Sequence, residues 1–133
     1  MRKICLDTDF LVALLRNNRE AVKKAAEFDA TQVETATTSM NAFEIYLGAY
    51  RSLDAQKNLK EAEALFESIP VLSLTKESSR KSSEVLSGLL KEGIPIDLRD
   101  AIIAGIALTE SYILMTRNVG HFGRIIGLSI EEW

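Results

Sequence analysis

Three acids in this chain stand among apolar residues rather than in polar stretches. Asp7 closes the run KICLD, Glu44 lies among Ala42, Phe43, Ile45 and Leu47, and Asp100 directly precedes Ala101, Ile102 and Ile103. A bare carboxylate against a core is costly unless it is paired or liganded. If folding brought the three to one sheet edge, their mutual repulsion would demand a cation or raised pKa values. Oxygen-only ligands with room for water suit Mg²⁺ or Mn²⁺. An ion so held activates water and stabilises an in-line displacement at phosphorus. The chain has one Cys and one His, so no Cys/His set has the spacing of zinc ligands. Hard cations are expected over zinc.

Simpler roles compete for the same residues. Asp7, Thr8 and Asp9 precede an apolar helical run and could serve as its N-cap, but one cap explains one residue and not the set. In IDLRDAIIAGIALT, Asp97 fits a helix N-cap and Asp100, three residues on, fits the capping-box acid. Glu44 could lie on a solvated helix face. The reading adopted gives Asp97 the helix start and Asp100 the metal. Arg16, Arg99, Arg117 and Arg124 are basic residues near the expected rim, candidates for backbone phosphate.

The elements that would position these groups follow from periodicity and punctuation. Strands are expected at Lys3 to Asp7, Val33 to Thr38, VLSL after Pro70, Tyr112 to Thr116 and SIEEW. Helices are expected from Phe10, over Glu20 to Phe28, after a Ser39 cap, through DAQKNLKEAEALFESI, from a Thr75 cap to Lys91, and through LRDAIIAGIALTE. Short strands alternating with helices imply parallel pairing in an α/β fold, where ligands collect at the carboxyl ends of the strands.

The 133 residues make one domain, 1–133, and 47% hydrophobic content supplies one sizeable core. A net charge of −3 argues against non-specific coating of nucleic acid; action on RNA would need metal ions at the phosphates. Cys5 reads as a small buried hydrophobe. Neither a signal peptide nor a membrane span is legible, so the expected setting is a reducing cytoplasm. Dinucleotide and P-loop functions lack their glycine patterns. An aspartyl-nucleophile phosphatase would need a Thr shortly after the second Asp, where Phe10 and Leu11 stand, and a receiver domain would need an Asp where VLSL runs into Thr75.

CLDTDFLVALL, SMNAFEIYLGA, DLRDAIIAGIAL and TRNVGHFGRIIGL, in that order over Ile4 to Leu128, resemble the PIN domain, with VapC-type toxins of prokaryotic toxin–antitoxin pairs nearest in likeness. The resemblance implies a three-layer α/β/α sandwich around a mainly parallel sheet of about four to five strands, with a divalent-metal ribonuclease site at one end. Asp7, Glu44 and Asp100 match the family's acids, which hold the metal. Thr116 and Asn118 match its T-x-N segment, which positions the first acid and the metal waters. The implied partners are single-stranded or looped RNA, a second copy in a homodimer, and a cognate antitoxin whose tail covers the site. Where many relatives have an acid three residues after that Asn, this chain has His121. That weakens a second metal position and offers an imidazole beside substrate, or a residue packed on Phe122 in a surface loop. Asp97 adds outer charge, and Arg117 is an auxiliary candidate. The alternative to a nuclease is a PIN-like binding or assembly module with little or no catalysis.

Overall fold

The computed structural model describes residues 1–133. The chain runs β1 (Lys3–Leu6), α1 (Thr8–Leu15), α2 (Arg19–Ala30), β2 (Glu34–Thr38), α3 (Ser39–Tyr50), α4 (Ala55–Ser68), β3 (Val71–Leu72), α5 (Lys76–Lys91), α6 (Leu98–Thr109), β4 (Ile113–Met115), α7 (Val119–Phe122) and β5 (Ile130–Glu131). The five strands form one sheet in the order β3-β2-β1-β4-β5, and every pairing is parallel. Strands covered on both faces read as continuous apolar runs, as KICL and ILM do.

Alternation along β1 divides the core. Ile4 and Leu6 pack with Phe10, Leu11, Phe28, Ile45 and Ala62 from the helices on one face. Cys5, between them, packs on the other with Leu89, Ile103, Ala104, Ala107 and Phe122. Side chains of period two facing two helical layers make the three-layer sandwich that the resemblance implies. Cys5 is fully buried, and burial raises its thiol pKa far above the usual range. On its face α5 and α6 pack very closely: a methyl group on Gly105 would fall 2.7 Å from the Ser82 backbone nitrogen.

Parallel strands put their carboxyl ends on one edge. Leu6 pairs with Met115 and Cys5 with Ala36, so the register brings Asp7 beside Thr116 and level with the end of β2. The chain order reverses at β1, with β2 and β3 to one side and β4 and β5 to the other. Ligand crevices in open parallel sheets lie at such a reversal.

The structure corrects several local expectations. Strand β1 ends at Leu6, and α1 starts at Thr8 rather than Phe10, because Asp7 takes the N-cap with its side chain accepting from the Thr8 amide. Thr38, not Ser39, caps α3, in a reciprocal pair with Asn41. Asp97 caps α6 by accepting from the Arg99 amide, and Asp100 lies in the first turn without closing a capping box. Only Val71 and Leu72 of VLSL are strand, and a short helix, α7, follows Asn118 where no helix is expected from the sequence. No helix is long and apolar enough to cross a membrane.

Candidate active site

Asp7 sits at the reversal point, 7% exposed, with both carboxylate oxygens engaged. Its Oδ1 accepts from the Thr8 amide at 2.9 Å and from Asn41 Nδ2 at 2.9 Å; its Oδ2 accepts from the Thr116 hydroxyl at 2.7 Å. Its own amide donates to the Met115 carbonyl, which ties it to β4. Burial pushes its pKa up to about 6, against the lowering effect of hydrogen bonds from Thr116, Thr8 and Asn41. This is a carboxylate well supplied with donors and still short of positive charge.

Glu44, on the first turns of α3, is tied to Asp7 through two shared neighbours. Its Oε1 accepts from the Thr8 hydroxyl at 2.8 Å, and that hydroxyl in turn accepts from Asn41 Nδ2 at 2.9 Å. Asn41 thus touches both Asp7 and the residue that holds Glu44. Across the opening, Arg99 grips Asp97 through Nε at 3.2 Å and Nη2 at 3.1 Å, while its Nη1 lies 3.8 Å from Glu44 Oε2. That pairing holds the Asp97 carboxyl below its usual range.

Asp100 faces His121, whose Nδ1 is 3.4 Å from Asp100 Oδ2 and 3.2 Å from Asn118 Nδ2. Protonated, that nitrogen donates to Asp100; bare, it accepts from the Asn118 amide. Burial raises the Asp100 pKa, and the His121 hydrogen bond opposes it. The Asn118 backbone N–H donates to the Thr116 hydroxyl oxygen at 2.9 Å, and that hydroxyl donates in turn to Asp7. An open circuit of contacts therefore runs from Arg99 through Glu44, Thr8, Asn41, Asp7, Thr116, Asn118 and His121 to Asp100.

This circuit modifies the expected geometry. Shared neighbours link the three acids, but no three His, Cys, Asp or Glu side chains are gathered closely enough to grip an ion together, so the expected three-carboxylate cluster is not formed. Arg99 and His121 stand beside the outer two. His121 is exposed and turned to Asp100 rather than packed on Phe122 in a loop. Of the basic candidates, Arg16 lines a groove with Glu44, Val12 and Gly48. Arg117 has its guanidinium committed to Trp133 and Glu20, and Arg124 lines a separate groove against α5.

Residues 4–126 match the sequence pattern of the PIN domain. The chain belongs to the PIN domain family. Among curated relatives, this PIN domain is 27% identical over 133 residues to the tRNA(fMet)-specific endonuclease VapC of Salmonella typhimurium, covering 100% of this chain and 99% of the relative. It is 26% identical to Ribonuclease VapC2 of Haemophilus influenzae over the same 133 residues, again 100% and 99% of the two chains. Among solved structures, DNA-bound VapBC from Salmonella typhimurium superposes with a TM-score of 0.91 at 27% identity, over 100% of this chain and 99% of that one. VapBC2 from Rickettsia felis, bound to a promoter DNA fragment, also gives 0.91, over 98% of each chain; at 21% identity it speaks for the fold alone.

Three residues of the site, Asn41, Thr8 and Asp9, carry no site signal in the sequence of this PIN domain as first read. Asn41 is fully buried and donates both to Asp7 and to the Thr8 hydroxyl that holds Glu44. Its signal was the spacing Thr38-x-x-Asn41, visible only once Thr38 rather than Ser39 is taken as the cap. Asp9 accepts from the Arg117 amide at 2.8 Å, a contact between distant segments that no local pattern announces.

Proposed function

We propose that the protein is a divalent-metal-dependent endoribonuclease and the toxin of a type II toxin–antitoxin pair. The observation that carries this reading is Asp7: a buried carboxylate with a raised pKa at the reversal point of a parallel sheet, linked through Asn41 and Thr8 to Glu44 and through Thr116, Asn118 and His121 to Asp100. The VapC names of the relatives and the VapBC structures support the same assignment. The donor set fits a hard cation, because every carboxylate around the crevice offers oxygen. Mg²⁺ commonly keeps several waters and binds through one or two carboxylates, so three acids need not close on it directly. Asp7 would hold Mg²⁺ or Mn²⁺, with Glu44 and Asp100 as the further oxygen donors. When bound, the ion supplies a lowered water pKa and charge stabilisation at the phosphorus.

The chain's own groups fix geometry and protons. Thr116 and Asn41 hold the Asp7 oxygens, Thr8 sets Glu44, and Asn118 places both the Thr116 hydroxyl and the His121 ring. Such preorganised groups act by position and field. His121, beside Asp100, is the group placed to exchange a proton with the leaving oxygen or with water. Asp97 restrains Arg99 at the mouth, where a guanidinium released from Glu44 would meet backbone phosphate. Partners in this reading are RNA, a cognate antitoxin, and a second copy across the exposed apolar residues of α3; the setting is the cytoplasm.

The test is to incubate the pure protein with mixed RNAs and with initiator tRNA, the substrate in the Salmonella relative's name, with Mn²⁺ or with chelator, beside Asp7→Asn and Asp100→Asn. Metal-dependent cutting abolished in both variants is the expected result. No cutting by the wild type over all RNAs would favour the binding module, a reading supported by the pairing of Glu44 and Asp100 with Arg99 and His121.

A further inference from the structure

We infer that Asp9 and Trp133 are a positioning pair that directs the Thr116 hydroxyl to Asp7. The Thr116 hydroxyl has one proton and two carboxylates within reach: Asp7 Oδ2 at 2.7 Å and Asp9 Oδ2 at 3.4 Å. Which of them receives it depends on how free Asp9 is to move. The structure leaves it little freedom. Its Oδ2 accepts from the Arg117 amide at 2.8 Å and its Oδ1 from the Trp133 indole N–H at 3.4 Å. A carboxylate held at both oxygens does not swing toward a neighbouring hydroxyl.

Trp133 is itself fixed from three sides. Its ring meets Phe10, fully buried in α1, edge-on with centroids 5.1 Å apart. The Arg117 guanidinium lies 3.6 Å from the centre of the same ring, and Arg117 Nε donates to the Trp133 carbonyl oxygen at 2.9 Å. Glu20 of α2 accepts from Arg117 Nη2 at 2.6 Å, which anchors the stack to a third element. Just before Trp133, β5 pairs with β4, and the Thr116 amide donates to the Glu131 carbonyl at 3.0 Å. Both segments that flank the hydroxyl are therefore registered against each other, and Asp9 is the polar joint between them. Arg117, a candidate for phosphate from the sequence, works in this arrangement as the cation of the brace.

The effect on turnover rests on the nuclease reading; the brace itself does not. The test uses Trp133→Phe, which keeps an aromatic ring against Phe10 and Arg117 and removes the N–H together with part of the ring area, alongside Asp9→Ala and Asp9→Asn, which leave the Trp133 ring in place. Amide hydrogen exchange is followed at Arg117, with Cys5 and Leu114 as internal references in the sheet. Values of kcat and KM are measured on RNA with Mn²⁺. In Trp133→Phe, exchange at Arg117 is expected to rise about tenfold, the strength of one lost hydrogen bond, with the references unchanged. The kcat should fall about tenfold with KM within about twofold, the signature of lost positioning rather than lost binding. Asp9→Asn, which keeps an acceptor for the Arg117 amide, should recover part of what Asp9→Ala loses. Unchanged Arg117 exchange in Trp133→Phe and Asp9→Ala overturns the pair, and so does faster exchange with an unaltered kcat. If the wild type cuts no RNA, the nuclease reading falls instead, and the exchange rates alone uphold or overturn the brace.

Discussion

At the scale of single residues, the tension in the crevice lies in Asp7. Its folded pKa of about 6 is above the ordinary value of 3.8, so the native state binds this proton more tightly than the unfolded chain. The associated stability is complete below the unfolded pKa and is lost as pH rises through the folded one. Asp7→Asn removes the charge and keeps a competent N-cap. In chelator at pH 7 the variant should therefore be more stable than wild type, by on the order of 2 kcal/mol, with the gap closing toward pH 4. Thermal melts across that window check it; a gap independent of pH would show that the buried charge is not the source. Mn²⁺ should reverse the order by stabilising the wild type and leaving Asp7→Asn unmoved.

At the scale of elements, the packing of α5 on α6 sets how firmly Asp100 is presented. Gly105 faces Ser82 with no space for a side chain, and the nearest atoms include backbone that cannot rotate away. Gly105→Ala should cost about 3 kcal/mol and lower Tm by roughly 10 °C; a melt within a degree of wild type would mean that the helices separate freely. This contact was invisible in the sequence, where Gly105 is one small residue in an apolar helical run. The strand runs and most helices were legible, because burial on both faces and helical periodicity leave direct traces in residue order. The ends of elements were less so. Asp7 as N-cap shifted α1 by a turn's fraction, and Ser39 was a plausible cap that Thr38 displaced once Asn41 closed the pair. The acids Asp7, Glu44 and Asp100 could be singled out by their apolar neighbours and by family resemblance. Their cations could not, since Arg99 and His121 meet them through tertiary contacts. The same holds for Asp9 and Trp133, more than a hundred residues apart in the chain.

For the whole molecule, α3 carries an apolar stripe outward as well as Glu44 inward. Phe43, Leu47 and Tyr50 are exposed at helical spacing, at 58%, 42% and 68%. A stripe of this kind on one helix favours association with another surface. Light scattering should find a dimer for the wild type and a monomer for Phe43→Glu paired with Tyr50→Glu, with the melting curve of each remaining cooperative. A wild type that stays monomeric at the highest workable concentration would remove α3 as a self-association face.

Cys5 gives the molecule a built-in clock. Its thiol lies under the middle strand, closed to solvent, on the residue next but one to Asp7. A disulfide reagent such as Ellman's cannot reach it until β1 leaves its neighbours, so the rate of colour release measures opening of the sheet centre, without any label being introduced. A cation seated on Asp7 would slow that reaction, and the slowing would report occupancy of the crevice in a sample containing no RNA at all.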